Sequence, residues 1–148
     1  MRILTAKQIK TVETRAFESD STEAELMLKA GTACFEKICK ILGESLANSR
    51  VGVFCGNGKN AGDGFVIADL LKGIKVFADI ILCDKEPTVD EPKMYYQKAI
   101  DNGVKVINFT ELCVENYDII VDCIFGIGFH VEPKAPFNDI FDFINNSN

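Results

Sequence analysis

A polar segment near the middle of the chain carries the residue types best suited to holding a ligand. It reads Val51-Gly-Val-Phe-Cys-Gly-Asn-Gly-Lys-Asn-Ala-Gly-Asp-Gly-Phe-Val66, so an apolar run gives way to glycines, amides, a lysine and a carboxylate, and then becomes apolar again. Glycines have no Cβ, so the backbone beside them can approach a bound group closely, and a helix start favours anions. The pattern predicts a strand, a ligand-sized loop at Gly56–Asp63, and a helix.

The glycine spacing differs from that of the common nucleotide-binding motifs. Gly56-Asn-Gly-Lys-Asn-Ala61 has no third glycine at the G-x-G-x-x-G spacing, and no Gly-Lys-Ser/Thr triplet follows it. Ordinary dinucleotide binding is therefore disfavoured. A solvent-exposed glycine-rich turn is the alternative interpretation, but Asn60 and Asp63 beside a helix start could both cap that helix and hold a ligand or cation.

A carboxylate near the end of a later apolar run is the second candidate. The segment Asp118-Ile-Ile-Val-Asp-Cys-Ile-Phe-Gly-Ile-Gly128 places Asp122 inside a predicted strand, where we expect it to be buried. A buried charge is costly unless it is paired, protonated or bound to a cation. Asp122 is therefore either a structural acceptor for backbone amides or a catalytic or cation-binding group. Together with Asn60 it would offer oxygen ligands that suit an alkali or alkaline-earth ion rather than zinc.

The only histidine of the sequence, His130, lies a few residues further on. No Ser/His/Asp or Cys/His partnership is evident, so we predict a loop or ligand-contact role for it rather than a catalytic one. Gly126 and Gly128 in the same segment would let a phosphate approach the backbone.

Short apolar runs that alternate with helical patterns predict the elements that position these segments. The predicted strands are Val51–Cys55, Val76–Leu82, Val104–Ile107 and Ile119–Ile124. The predicted helices are Thr5–Ser19, Ser21 or Thr22–Leu42, Gly64–Lys72, Pro92–Asn102 and Pro136–Asn145. The fold class is α/β, a Rossmann-like three-layer sandwich with a mostly parallel sheet, preceded by two helices. Ligands bind beyond the carboxyl ends of such strands, so we expect Gly56–Asp63 and Gly126–Glu132 to face one another across a crevice.

Three glycines carry specific expectations. Gly31 interrupts the second helix, where glycine costs about 1 kcal/mol relative to alanine, so we expect it to pack closely against another backbone, either within the chain or at a dimer interface. Gly73 and Gly103 follow predicted helices and are expected to be left-handed C-cap residues.

Composition limits the function classes. The 148 residues fit one domain spanning 1–148, and a net charge of −6 without clustered Lys and Arg argues against nucleic acid or an anionic membrane as partner. No apolar run approaches the roughly 20 residues that cross a bilayer. The six cysteines form no C-x-x-C pair, so we expect reduced, buried thiols and a cytoplasmic protein.

The two polar segments resemble those of a known family. Cys55-Gly-Asn-Gly-Lys-Asn-Ala-Gly-Asp-Gly-Phe-Val66 is similar to the C-G-P-G-N-N-G-G-D-G-L-V loop of the YjeF N-terminal domain family, the NAD(P)H-hydrate epimerases. Val121-Asp-Cys-Ile-Phe-Gly-Ile-Gly128 resembles its V-D-A-L-F-G-T-G segment. The opening Ile3-Leu-Thr-Ala-Lys-Gln-Ile9 and the Pro136-Phe137 pair also resemble the family, so the likeness spans the chain.

The resemblance implies an isomerase of metabolite repair that interconverts the R and S forms of hydrated NADH or NADPH. A dehydratase, fused or separate, would then repair the S form. It also implies bound K⁺, a homodimer, and K⁺ ligation by Asn60 and Asp122. Our own hypothesis is that Asp122, at the end of its strand, supports the loss of hydroxide or ring opening, directly or through the cation. The substrate contacts that the resemblance implies are Lys59, Asn60, Ala61, Gly62, Asp63, Gly126, Ile127, Gly128, Phe129, His130, Val131 and Glu132.

This chain departs from the family pattern at several positions. Lys59 and Ala61 replace Asn and Gly, and the alanine requires a negative φ. Leu28 and Lys29 stand where the family has Glu and Asn, and the family continues beyond Asn148 into a strand with a D-x-P-S-G motif. We therefore expect C-terminal strands of the family to be missing. The alternative function is a non-catalytic YjeF-like domain for ligand binding, dimerisation or scaffolding.

Overall fold

A computed structural model describes residues 4–18, 21–113, 116–130 and 132–147. The predicted contact residue Val131 and the start of the opening motif at Ile3 lie outside these ranges. The helices are α1 Ala6–Glu18, α2 Glu23–Leu42, α3 Lys59–Gly73, α4 Asp90–Asp101 and α5 Phe137–Asn146. The strands are β1 Arg50–Cys55, β2 Phe77–Leu82, β3 Lys105–Asn108 and β4 Ile119–Cys123. Short 3₁₀ helices occupy Gly43–Asn48 and Phe109–Glu111.

The four strands form one parallel sheet in the order β3-β2-β1-β4. In the central strand, Cys55 pairs with Leu82 on one side and with Cys123 on the other. Parallel strands all end at the same edge of a sheet, so the segments that follow β1 and β4 emerge side by side. The predicted α/β fold and each of its four strands are confirmed.

Helices cover both faces of the sheet. Val51, Val53 and Cys55 point into a core formed with α2, α3 and α4. Phe54, which points the other way because side chains alternate along a strand, packs with Ile140 of α5. All five of these side chains are fully buried, and the three-layer prediction is confirmed.

Helix α2 lies directly against α3, and Gly31 makes the close contact that its position predicted. A Cβ on Gly31 would lie 2.6 Å from the Cβ of Val66 and 2.9 Å from the backbone oxygen of Asp63. The start of α2 is fixed by Thr22, whose side chain accepts a hydrogen bond from the Glu25 amide while the Glu25 carboxylate accepts one from the Thr22 amide. These contacts set the position of α2 relative to the start of α3.

Helix α3 begins earlier than predicted. It starts at Lys59 with Gly58 as N-cap, whereas the pattern indicated a loop as far as Asp63. Glycine and asparagine have low helix propensity, but packing overrides it here because a Cβ on Gly62 would collide with the Sδ atom of Met27 in α2. Ala61 is helical and buried, so its negative φ is confirmed and the alanine causes no left-handed strain.

The helix ends show one confirmed C-cap and one error. Gly103 has φ of 80°, as predicted. Gly73, by contrast, is the last residue of α3, and the left-handed residue is Lys75, with φ of 64°. The amides of Lys75 and Val76 donate to the carbonyls of Lys72 and Leu71, so the helix closes in a Schellman motif two residues later than expected.

All six cysteines are free, but their predicted burial holds only in part. Cys55, Cys83 and Cys123 are buried, while Cys34 and Cys113 are exposed. Within the ranges that the structure describes, no helix is both long and apolar enough to span a membrane.

Candidate functional site

A cleft of about 680 Å³ lies beyond the carboxyl ends of β1 and β4. Helices α1 and α2, the start of α3 and the segment after β4 all contribute lining residues. The two polar segments therefore line one cleft, as the sequence predicted. Its lining residues are Ile9, Glu13, Glu23, Leu26, Met27, Ala30, Asn57, Gly58, Lys59, Asn60, Asp63, Ile124, Phe125, Gly126, Ile127, Gly128 and Phe129.

The predicted site residues divide into two groups. Lys59, Asn60, Asp63 and the stretch Gly126–Phe129 line the cleft. Ala61 and Gly62 are buried in α3. Neither they nor Asp122, His130 and Glu132 are among the lining residues.

Two hydrogen bonds to backbone carbonyls connect the segments that line the cleft. The side-chain amide of Asn60 donates a 3.1 Å hydrogen bond to the carbonyl of Phe125. The Gly56 amide donates to the carbonyl of Cys123 at 3.2 Å, and a Cβ on Gly56 would collide with the backbone oxygen of Ile124. The end of β1, the start of α3 and the segment after β4 are thus fixed to one another.

Asp122 is exposed, so the expectation that it is buried is wrong. The strand β4 is at the end of the sheet order, and Asp122 points away from the α3 side that Val121 and Cys123 cover. Its Oδ1 atom accepts a 3.0 Å hydrogen bond from the Ile124 amide. Asp122 is therefore an acceptor for a backbone amide, which is the structural alternative named in the sequence analysis. Its catalytic and cation-binding roles stay predictions.

Asp63 is the lining residue of the cleft whose pKa is raised. Burial, and secondarily the negative charge of Glu13 on α1, raises the pKa of the Asp63 carboxyl to about 6. A carboxyl group with that pKa exists in both protonation states near neutral pH, as a general acid–base catalyst requires. The sequence indicated Asp63 as a contact residue but gave no indication of its raised pKa.

The residues that sequence reasoning missed belong mainly to the first two helices. Glu13 lies four residues after Ile9 on α1, and both line the cleft. A carboxylate one turn from an apolar residue on the same helix face is a usable but weak signal. Glu23, Leu26 and Met27 lie on the apolar side or at the start of α2, where core packing was the simpler interpretation.

The wall after β4 is aromatic. The rings of Phe125 and Phe129 stack with centroids 3.8 Å apart and planes 8° from parallel. Phe125 also contacts Phe137 of α5, with ring centroids 4.7 Å apart. Packing against α5 therefore supports a flat apolar surface beside the polar start of α3, which suits a ligand that has both a planar ring and polar groups.

The raised pKa of Asp63 predicts a pH-dependent effect on stability. Because the folded protein holds a proton on Asp63 that the unfolded chain releases, stability falls as pH rises from about 4 to about 6. Asp63→Asn, which does not titrate, should therefore gain stability over the wild type as pH rises through this window. Urea unfolding of both proteins at about pH 4 and about pH 7.5 measures the difference. A difference that is the same at both pH values would contradict the assignment.

The sequence matches the family model for "YjeF-related protein N-terminus" over residues 23–148. It is 33% identical to the NAD(P)H-hydrate epimerase of Puccinia graminis f. sp. tritici, over 94% of this chain and 58% of that protein. It is 32% identical to the NAD(P)H-hydrate epimerase of Entamoeba histolytica, over 98% of this chain and 64% of that protein. The bifunctional NAD(P)H-hydrate repair enzyme Nnr of Escherichia coli is 28% identical over 82% of this chain and 23% of that protein.

The fold agrees with a solved structure. The crystal structure of yeast ynu0, YNL200c, superposes with a TM-score of 0.83 at 22% sequence identity, over 99% of this chain and 66% of that one. The chain thus spans about two thirds or less of these relatives' lengths. Because the family model matches most of the chain, from α2 through α5, this protein belongs to the family of YjeF-related protein N-terminal domains.

Proposed function

We propose that this protein is an NAD(P)H-hydrate epimerase, an isomerase that interconverts the R and S forms of hydrated NADH and NADPH. The observation that carries the proposal is the cleft itself, in which Asp63, with a pKa raised to about 6, shares the lining with the stacked rings of Phe125 and Phe129. The names of the Puccinia and Entamoeba relatives support the same activity.

The substrate would lie between the start of α3 and the segment after β4. Lys59, Asn60 and Asp63 of the first and Gly126–Phe129 of the second all line the cleft. Gly126 leaves room beside Asn60, since a Cβ there would stand 3.6 Å from the Asn60 Cβ, and around Gly128 the space is open. We propose that this second segment takes the diphosphate and that Phe129 contacts a planar ring. His130, Val131 and Glu132 remain predicted contacts at the edge of the same segment.

The chemical step inverts the carbon that bears the added hydroxyl group. In our mechanism Asp63 donates its proton to that oxygen as the carbon–oxygen bond breaks, and the electron pair leaves with the water. The lone pair of the ring nitrogen stabilises the resulting cation. Water then adds to the opposite face of the ring, and its proton returns to the Asp63 carboxylate through solvent. The step consumes no oxidant or reductant, which agrees with the absence of a hydride-transfer fingerprint in the sequence.

We further propose that Asn60 and Asp122 hold K⁺. Both side chains supply oxygen, which suits a hard cation. Their hydrogen-bond partners are consecutive in the sequence, which supports their being close together. Asn60 donates to the Phe125 carbonyl, and Asp122 accepts from the Ile124 amide. The Asn60 amide nitrogen is used in its bond, so the carbonyl oxygen is the atom left for a cation. When bound, the cation would supply positive charge near the substrate.

Potassium binding predicts a cation-specific gain in stability. At equal ionic strength, potassium chloride should raise the midpoint of thermal unfolding above its value in sodium chloride. The rise should be about 3–6 °C when K⁺ is at tenfold its dissociation constant. Asn60→Ala should remove the difference, whereas Asn57→Ala, in the same segment, should keep it. Equal midpoints in the two salts would contradict the cation site.

Three further properties complete the proposal. Free cysteines throughout are typical of a reducing compartment, which supports a cytoplasmic location. Exposed apolar side chains on the first two helices, Val12, Leu28 and Ile41, support a homodimer. The name of the bifunctional Escherichia coli relative supports cooperation with a dehydratase that acts on the S form.

A coupled assay tests the proposed activity. A mixture of R and S hydrates of NADH is supplied with an excess of S-specific dehydratase, and NADH recovery is followed by absorbance. We expect the protein to convert the slow phase, which reflects the R form, into a fast one. A slow phase that does not respond to the protein would refute the proposal and favour the non-catalytic ligand-binding or scaffold alternative.

A further inference from the structure

The charged side chains that line the cleft are mostly acidic. Glu13, Glu23 and Asp63 are carboxylic acids, and Lys59 is the one base among the lining residues that the structure describes. A ligand that carries phosphate groups is an anion, so it would meet net negative charge on entering. Recognition of such a ligand therefore depends heavily on whether Lys59 is available to it.

Lys59 is already engaged by an acid. Its Nζ atom lies 2.6 Å from the Oε1 atom of Glu23, and the two side chains remain 62% and 36% exposed. Exposed ion pairs of this kind are weak because water and salt screen them. Lysine also has a long flexible stem, so its charge can move to a neighbouring partner without backbone movement.

The two partners are held on rigid elements. Glu23 is the first residue of α2, immediately after the Thr22 cap. Lys59 is the first residue of α3, and the contact between Gly62 and Met27 joins the two helices within a turn of the pair. The backbones of Glu23 and Lys59 therefore keep their separation, so a ligand that binds Lys59 must displace the Glu23 side chain from it.

We propose that Lys59 supplies the positive charge that recognises phosphate in the cleft, beside the backbone of Gly126–Phe129, and that Glu23 competes with the ligand's phosphate for it. An anionic ligand enters by replacing the Glu23 carboxylate on Nζ, because a phosphate offers more charge and more acceptor oxygens than one carboxylate. Glu23 thus lowers the affinity for phosphate-bearing ligands and sets a threshold for their binding. The inference rests on the proposed function only in requiring a ligand with phosphate groups.

A double-mutant cycle tests this competition with ADP as the probe and calorimetry on the full chain. Glu23→Gln removes the competing charge at nearly constant shape, and we expect it to tighten ADP binding by about threefold to tenfold. Lys59→Met should weaken binding by a similar factor. In the Lys59→Met background, Glu23→Gln should increase ADP affinity by less than half as much in free energy as it does in the wild type. The reason is that Glu23 weakens binding mainly by occupying the Lys59 ammonium group.

Two controls separate competition from general electrostatics. Glu36→Gln removes an exposed carboxylate of the same helix outside the cleft, so it should leave ADP affinity unchanged. Adenosine, which has no phosphate, should bind the wild type and Glu23→Gln equally. Circular dichroism of each variant establishes that it is folded before binding is measured.

The inference is overturned if Glu23→Gln leaves ADP affinity unchanged, or if its gain is as large in the Lys59→Met background. Because binding is measured, the outcome does not depend on catalysis. If the binding cycle has the predicted result but the protein does not epimerise, the competition for Lys59 is supported and the proposed activity is refuted. If the protein epimerises but the binding cycle fails, the activity is supported and the competition is refuted.

Discussion

Replacement of Asp63 by asparagine is expected to lower kcat for epimerisation by about 10²–10⁴-fold while KM stays near its wild-type value. Asparagine has almost the same shape as aspartate but cannot donate a proton to the leaving hydroxyl group. Because the pKa of Asp63 is raised to about 6, the wild-type rate should also fall as pH rises through that value and the acid form is lost. Steady-state kinetics on the R epimer across pH measures both effects.

Asp122→Asn is the matched comparison for that variant. It makes the same chemical change at an exposed carboxylate that is not among the lining residues of the cleft. A fall of rate near pH 6 that is lost in Asp63→Asn and kept in Asp122→Asn would identify Asp63 as the catalytic acid. Full activity in Asp63→Asn would contradict our mechanism, and full activity in Asp122→Asn would refute the catalytic role that we predicted for Asp122 from its place at the end of a strand.

Gly56→Ala is expected to lower the free energy of unfolding by about 1–3 kcal/mol or more. The added Cβ would collide with the backbone oxygen of Ile124 and lie 3.2 Å from its carbonyl carbon. Backbone atoms in a parallel sheet cannot move aside as the end of a flexible side chain can. The collision should also displace Phe125, whose carbonyl accepts the hydrogen bond from Asn60. Urea unfolding gives the loss of stability, and kcat/KM reports the effect on the cleft.

Gly58→Ala is the control, because it adds the same methyl group two residues away. No atom lies within 4 Å of a Cβ at Gly58, and its φ of −96° is open to alanine. We expect a change within about 1 kcal/mol, since a lower entropy of the unfolded chain opposes a poorer N-cap. If both variants lose the same free energy of unfolding, the contact with Ile124 is not the reason that residue 56 must be glycine.

The fold was largely predictable because burial leaves a simple pattern. Apolar runs such as Val51–Cys55 occur where strands are covered on both faces, and all five residues of that run are buried. The glycine of α2 was informative for a similar reason, since Gly31 allows the close approach of α3. The crevice followed from the order of the strands, because parallel strands that are neighbours must end at the same edge.

The start of α3 and the environment of Asp122 were not predictable. Local propensity disfavours a helix through Asn60–Gly64, and the packing of α3 against α2, which is closest at Gly62 with Met27 and at Gly31 with Val66, outweighs it. Asp122 looked buried because its neighbours in sequence are apolar. Its exposure depends on β4 being at the end of the sheet order, which is a property of the whole fold.

The acid–base part of the site depends on contacts between distant residues. The pKa of Asp63 is raised by burial and by Glu13, which lies on another helix fifty positions earlier in the chain. Likewise, the ion pair of Lys59 with Glu23 joins the first residues of two helices. Motif spacing within one segment cannot reveal either arrangement, although it did indicate Lys59 and Asp63 as contact residues.

Direct observation of one purified epimer is the best test of whether this cleft epimerises hydrated nicotinamide cofactors. The R hydrate of NADH is incubated with the protein, without dehydratase, and the two epimers are separated by chromatography over time. We expect the protein to bring the R form to an R/S mixture far faster than buffer does, and Asp63→Asn to abolish most of the acceleration. An R form that persists at the rate seen in buffer would contradict the proposed activity.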